Sequence, residues 1–322
     1  VSQVGEQGFN IGRNAALAAG FPETVPGTTV DRQCGSSQQA LHFAAAGVIA
    51  GHYDVVVAGG VESMSRIPMF SNGKGGDGPF GPMMIDRYDG KLVNQGVSAE
   101  MIAEKWNLSR TYLDEMAVES HERAARATAD GLFAEEIVEV AGVTADQGIR
   151  PGSSVEKLAG LPTPFVDGGV VTAGNASQIS DGSAALLVMT SEKAAELGLT
   201  PLVRFHTGVM AGVDPIMMLT GPIPATQKAL DKAGLRLDEI GAIEINEAFA
   251  SVVGAWFAET GADPKITNPN GGAIALGHPL GASGARLMTT LIHQMKRNDI
   301  RYGLQTMCEG GGMANATIVE LL

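Results

Sequence analysis

Three side chains in this sequence could do covalent or proton-transfer chemistry. They are Cys34 in Asp31-Arg32-Gln33-Cys34-Gly35-Ser36-Ser37, His278 in Gly277-His278-Pro279, and Cys308 in Cys308-Glu309-Gly310-Gly311-Gly312-Met313. Cys34 stands just before a helical stretch whose unpaired N–H groups and positive dipole end favour a thiolate, below the usual thiol pKa of about 8.5. Free cysteine is also among the most buried residue types, so by itself this residue reads as nucleophile or core with equal weight. A lone histidine is more often structural than catalytic. His278, however, follows the glycine-rich run Asn268-Pro269-Asn270-Gly271-Gly272, which implies a backbone pressed against a ligand or another segment. The glycines after Cys308 can present N–H groups, Gly310 among them, to a developing oxyanion, or can be a flexible strand exit. Asn246 opens Asn246-Glu247-Ala248-Phe249, where its side chain could cap a helix, act in catalysis, or both.

The elements that must position these residues occur twice. In the first copy, residues 8–19 read as a helix and 28–32 as an extended segment, followed by Cys34. A helix over 37–50 comes next, with Ala40, Leu41, Ala44, Ala45, Val48 and Ile49 on one stripe, and a strand over 54–58 then runs into Gly59-Gly60. In the second copy, 247–259 is helical, 265–268 is extended, and a glycine-rich turn delivers His278. A helix over 282–296 turns Ala285, Met288, Leu291, Ile292 and Met295 inward, and a strand over 303–307 enters Cys308. The shared order puts His278 at the position equivalent to Cys34 and makes the two turns converge where the halves meet. Alternating helices and strands specify an α/β architecture with helix-covered sheets.

The second copy is preceded by a helix over 224–233 and a strand over 240–245 that have no counterpart before residue 1. The expectation is that a strand–helix–strand unit belongs ahead of the first copy, since a sheet lacking its opening strands has an unpaired edge. Residues 66–179, richer in Gly, Pro and charge, read as an inserted lobe with helices at 98–105 and 109–129. A strand over 180–190 closes the first sheet. The division is therefore 1–65, completed by 180–195, as one half, 66–179 as the lobe, and 196–322 as the other half.

Composition excludes several classes. The chain has 322 residues, 44% hydrophobic and 18% charged, which suits a globular protein of more than one domain. A formal charge of −13 argues against nucleic-acid binding. Two cysteines without a CxxC or a histidine-rich neighbourhood make neither a disulfide scaffold nor a metal site, and read as free thiols in a reducing compartment. No run of eighteen apolar residues suggests a membrane span and no signal peptide is visible, so the expected location is cytoplasmic, or organellar if a presequence precedes residue 1.

Taken together, the motifs resemble the thiolase family over nearly the whole chain. They are Cys34-Gly35-Ser36-Ser37 with Gly59-Gly60-Val61-Glu62-Ser63-Met64-Ser65, then Asn246-Glu247-Ala248-Phe249, Gly271 through Pro279, and Cys308-Glu309-Gly310-Gly311-Gly312. Any one alone is weak, while four in order are specific. The resemblance implies a duplicated five-layered αβαβα fold with an inserted loop lobe. It also implies acyl transfer between 3-ketoacyl-CoA and coenzyme A. Cys34 would be the acylated nucleophile, His278 the group that takes its proton, and Cys308 the acid/base for the carbon-bound or CoA-sulfur proton. Asn246, with a water and His278, would hold the enolate oxygen, and the N–H groups of Cys34 and Gly310 the tetrahedral oxyanion.

The resemblance further implies no tightly bound cofactor, coenzyme A as substrate, and a homo-oligomer, dimer or tetramer. Coenzyme A would lie against the lobe, with Ser177 at the pantetheine, Arg150 at the nucleotide end, and Phe249 and Ile179 lining the tunnel. Arg150 alone reads equally as a solvated surface charge. Two departures bear on these readings. Asn94-Gln95-Gly96 stands where acetoacetyl-CoA thiolases carry His-Met before glycine, which favours a degradative enzyme of broader or bulkier substrate range. The connection over 138–143 is short for the family. Two rivals remain: a ketoacyl synthase, against which Cys308 argues because those enzymes pair cysteine with two histidines, and a non-catalytic CoA- or lipid-binding relative.

Overall fold

The computed structural model describes residues 1–76 and 78–322. The first half contributes α1 (Ile11–Ala18), α2 (Ser36–Ile49) and β1 (Val55–Ser63). The lobe contributes α3 (Pro82–Arg87), α4 (Gln95–Lys105), α5 (Arg110–Ala129) and α6 (Val155–Ala159), and the chain returns through β2 (Asp181–Met189) and α7 (Ser191–Glu196). The second half is β3 (Val203–Gly212), α8 (Pro222–Ala233), β4 (Ala242–Ile245), α9 (Ala250–Thr260), α10 (Ala273–Leu276), α11 (Ser283–Asn298), β5 (Tyr302–Glu309) and β6 (Met313–Leu321). Local chemistry sets several of these boundaries. Asn94 and Ser109 accept from Val97 N and Tyr112 N and so cap α4 and α5, while α8 begins on Pro222 and ends at a left-handed Gly234.

β1 and β2 pair antiparallel, Val55 opposite Met189 through Ser63 opposite Asp181, and form a two-stranded sheet. The second sheet has the order β3-β6-β5-β4, with β4 parallel to β5 and the other pairs antiparallel. Between the sheets lie α2 and α11, side by side. Leu41 and Ala44 of α2 and Met288, Leu291, Ile292 and Met295 of α11 share one core with Ala58 of the first sheet and Ala242 and Val319 of the second. α8 and α9 cover the far face of the second sheet, where Trp256 is fully buried and donates from Nε1 to Thr226 Oγ1 at 2.9 Å. On the far face of the first sheet Val55, Val57 and Leu187 are exposed.

The duplicated α/β arrangement is present, and α2 and α11 begin within a residue of the expected starts. Other expectations need correcting. Residues 28–32 form no strand, having no ladder partner among the described residues beyond one bridge from Arg32 to Cys34. Residues 265–268 do run extended along the edge of β4, where Ile243 N donates to Ile266 O, Asn268 N to Ile243 O, and Thr267 bridges Ile243, although they count as no strand of their own. The helix expected from 247 begins at Ala250, because Asn246 to Ala248 form an irregular link after β4 and an extended Phe249, bridged to Ala176, directly precedes the helix. β3 has no clean alternation to read, since its register slips between Phe205 and Thr207. The residues after Cys308 are a tight hairpin turn into β6 rather than a loose strand exit.

Candidate active site

Each reactive side chain is placed by the end of a different element. Cys34 lies on the turn before α2 and is 5% exposed, Cys308 is the penultimate residue of β5 and 1% exposed, and His278 follows α10 and is 4% exposed. Asn246 follows β4. Its N–H donates to Thr306 O at 3.1 Å, and Ile245 is in register with Thr306, so Asn246 stands beside the stretch of β5 that leads to Cys308.

The histidine has a defined hydrogen-bond network. Its Nδ1 lies 2.6 Å from Ser283 Oγ, and that hydroxyl donates to Pro279 O at 3.0 Å. With its proton committed to Pro279, Ser283 must accept from His278 Nδ1–H, which leaves Nε2 unprotonated and able to accept. Nε2 faces Asn246 Nδ2 at 3.3 Å. Burial drives the imidazole down to about 4, against a weaker opposing pull from Glu62, so it is neutral at physiological pH and basic at Nε2. Asn246 Oδ1 is buried and has no hydrogen-bond partner among the described residues.

The electrostatics of Cys34 run opposite to the sequence expectation. Burial pushes its thiol up to about 12 and the Glu309 carboxylate pushes the same way, while the backbone N–H groups of Gly310 and Cys34 and the Gln95 side chain pull against both. The start of α2 does not rescue a thiolate, because desolvation outweighs the few donors that reach the sulfur. Cys308 is raised as well, by burial first and then by Cys34 and Glu309. The resting pair is therefore two thiols. The donors that reach Cys34 Sγ nevertheless include both N–H groups expected at the oxyanion position, those of Gly310 and Cys34.

The two central helices join the halves at this end of the molecule. A Cβ on Gly284 would come within 2.4 Å of Gln38 N, so only glycine lets the first turns of α2 and α11 touch. Cys34, Cys308, Asn246 and His278 are all buried near this joint, as two pairings: Cys34 with Cys308 and Gly310, and Asn246 with His278.

The expected coenzyme A residues are spread more widely. Ser177 N donates to Ala248 O at 3.0 Å, next to Phe249, whose ring meets Phe165 edge-on with centroids 6.2 Å apart. Ile179 is 66% exposed, and Arg150 is exposed on the lobe. Gln178 ties these positions together. Its Nε2 donates to Gly148 O and Ile274 O, both at 2.8 Å, and its carbonyl accepts from His278 N at 3.0 Å, so one residue spans the Arg150 loop and the His278 turn.

Sequence reasoning missed Gln178 although it sits between Ser177 and Ile179. It also missed Ser283, Gln95 and the pairing of Glu309 with Arg32. A signal existed for two of these, since Gln95 replaces an expected side chain and Glu309 is a charge inside a glycine-rich motif.

Comparison with known proteins places these residues in context. A family model described as "Thiolase, N-terminal domain" matches residues 1–192, and one described as "Thiolase, C-terminal domain" matches residues 199–321. The chain is 52% identical to a steroid 3-ketoacyl-CoA thiolase of Mycobacterium tuberculosis, in an alignment covering 100% of this chain and 81% of that protein. It is 46% identical to a 3-ketoacyl-CoA thiolase of Photobacterium profundum (99% and 85% covered) and 43% identical to one of Bacillus subtilis (98% and 84% covered).

Proposed function

This chain belongs to the thiolase family, and from that membership we propose that Cys34, His278, Cys308, Asn246 and Gly310 carry out its acyl transfer between 3-ketoacyl-CoA and coenzyme A. The protein is an acyltransferase acting in acyl-CoA degradation. The residue roles are supported by two pairings on adjoining elements: Cys34 lies close enough to Cys308 to raise its thiol, and the Asn246 amide, 3.3 Å from the neutral His278 imidazole, hangs from the β5 strand that carries Cys308.

A thiol held neutral by burial needs a base, and His278 Nε2 supplies one. As Cys34 Sγ attacks the 3-keto carbon, its proton passes to His278, and the oxyanion is stabilised by the N–H groups of Cys34 and Gly310. The C2–C3 bond then breaks, leaving acyl-Cys34 and the enolate of acetyl-CoA. Asn246 and the protonated His278 face the enolate oxygen, and Cys308 gives its proton to the carbon. In the second half-reaction the Cys308 thiolate takes the proton of the incoming CoA thiol. That sulfur attacks the acyl carbon, and Cys34 leaves and recovers its proton from His278.

For coenzyme A, Ser177 and Phe249 would face the pantetheine with Ile179 beside them, and Arg150 the phosphates. The mutual packing of Ala176, Ser177 and Ala248–Phe249 supports the first group, and the exposed guanidinium on a loop tied to Gln178 supports the second. The name of the Mycobacterium tuberculosis relative supports a bulky, ring-bearing acyl group as substrate. Residues 1–65 with 180–195 form one half, 66–179 the CoA-facing lobe and 196–322 the other half. The β1–β2 ladder supports this division, since it joins 55–63 to 181–189 across the intervening lobe. Assembly is as a homo-oligomer.

The test is CoA-dependent cleavage of acetoacetyl-CoA and of a ring-bearing 3-ketoacyl-CoA by wild type, C34A and C308A. Cleavage by wild type, faster on the bulky substrate, absent in C34A and about 10²–10⁴-fold slower in C308A, is expected. Undiminished cleavage by C34A would overturn the assignment.

A further inference from the structure

Glu309 directly follows Cys308, and its side chain is 0% exposed. Its Oε2 lies 2.9 Å from Arg32 Nε as an ion pair, while the Nε–H itself donates to Asn315 Oδ1 at 2.8 Å. Arg32 is two residues before Cys34, and Asn315 faces Met307 across the β5–β6 hairpin. One guanidinium therefore ties the Cys34 turn to both strands of the hairpin that carries Cys308. The other oxygen, Oε1, occupies the place a side chain would take at position 35, since a Cβ on Gly35 would lie 1.9 Å from it. The glycine after Cys34 thus leaves the space that the glutamate after Cys308 fills. Neither carboxylate oxygen makes a well-aligned hydrogen bond, so Arg32 holds the group as an ion pair.

The field of this group acts on both sulfurs. Burial raises the Glu309 carboxyl to about 8 against the pull of Arg32, and once it ionises it disfavours a second negative charge beside it, so the Cys34 and Cys308 thiols are both raised by Glu309 in addition to burial. The charged and titratable groups facing it are Arg32 from the turn and the two cysteines. We propose that Glu309 is a positioning residue for both cysteines: paired with Arg32 and seated against Gly35, it clamps the Cys34 turn to the Cys308 hairpin and, as it ionises, adds to burial in keeping Cys34 a thiol until His278 takes its proton in the presence of substrate. A resting thiol is protected from adventitious oxidation and alkylation, and the nucleophile is released only when the acyl group is in place. This deepens the reading of Cys34 as nucleophile and rests on it.

The experiment measures Cys34 itself, apart from turnover. Wild type, E309Q, E309A and E309D are alkylated with iodoacetamide between pH 6.5 and 9, and Cys34 and Cys308 are followed separately by peptide mass mapping. Below about pH 8, where the wild-type carboxyl is protonated, the E309Q and wild-type rates at Cys34 converge, and above it loss of the charge makes Cys34 alkylation up to about tenfold faster, the equivalent of about one pH unit. E309D keeps the charge, so its profile stays near that of wild type while its thiolysis kcat falls through a loosened turn. Superimposable profiles for E309Q and wild type overturn the proposal. So does a failure of both neutral variants to fold while E309D folds, since the carboxylate is then a clamp alone. A shifted profile in a protein whose wild type performs no thiolysis upholds the coupling and counts against the proposed function instead.

Discussion

Ser37 Oγ accepts a 2.8 Å hydrogen bond from the backbone N–H of Ala285, so a side chain on the first turn of α2 satisfies an otherwise unpaired donor on the first turn of α11. Ser37 is three residues past Cys34, and Ala285 is seven past His278. The contact fixes how the two reactive turns approach one another, and it sets the first prediction. S37A strands a buried N–H and should lower folding stability by about 1–3 kcal/mol in urea denaturation. G284A drives a Cβ into the Gln38 backbone and should cost about 3 kcal/mol. An S37A protein as stable as wild type would refute the argument.

The two thiols should separate by half-reaction. C34A should form no acyl-enzyme by intact-protein mass spectrometry. C308A should keep an acylatable Cys34 yet lose about 10²–10⁴-fold in turnover, the usual contribution of a positioned acid/base. Equal acylation of C34A and wild type would exclude Cys34 as the nucleophile.

Arg150→Ala should raise KM for coenzyme A about fivefold, leave kcat unchanged, and flatten the salt dependence of KM, as expected for one exposed charge on a phosphate. The contrast is KM for dephospho-CoA: if wild type and variant differ equally for both thiols, the guanidinium contacts something other than that phosphate.

Stability should depend on pH through groups of opposite sign. Burial lowers His42 and His278 from 6.5 to about 4. The unfolded chain takes up these protons first, so the stability each contributes is complete above about pH 6.5 and drains away as pH falls toward 4, by up to about 3 kcal/mol each. Glu309, raised from 4.5 to about 8 by burial against the pull of Arg32, instead lowers stability as pH rises through that window. His42 lies outside the reactive set, bonded to Thr317 Oγ1 at 2.7 Å. H42Q should therefore remove about 3 kcal/mol of the loss between pH 6.5 and 4 in urea titrations. Parallel pH profiles for H42Q and wild type would contradict this.

How much of this was legible depended on the kind of feature. The reactive residues announce themselves through chemistry and punctuation: Cys34, His278 and Cys308 each sit beside glycines at the end of an amphipathic element, and the repeat order aligns the first two. What depends on depth of burial was not legible. The dipole at the start of α2 predicts an acidic thiol at Cys34, but the sign is decided by desolvation and by Glu309, which reaches Cys34 only because Arg32 folds the turn onto the hairpin. Gln178 and Ser283 were invisible for a related reason, since each acts through backbone carbonyls or a hydroxyl that only the folded chain brings within reach. β3 escaped because one bulge residue breaks the two-residue alternation on which strand reading depends.

The side-by-side seating of α2 and α11 makes catalysis a property of the joint rather than of either half. With the proposed roles, the nucleophile comes from one repeat and its base from the other, so a lone repeat would be chemically inert however well it folds. Turnover therefore reports docking. A substitution that parts the helices without unfolding them silences the enzyme while leaving each half intact, and the duplication acts as an interlock that withholds reactivity until assembly is complete.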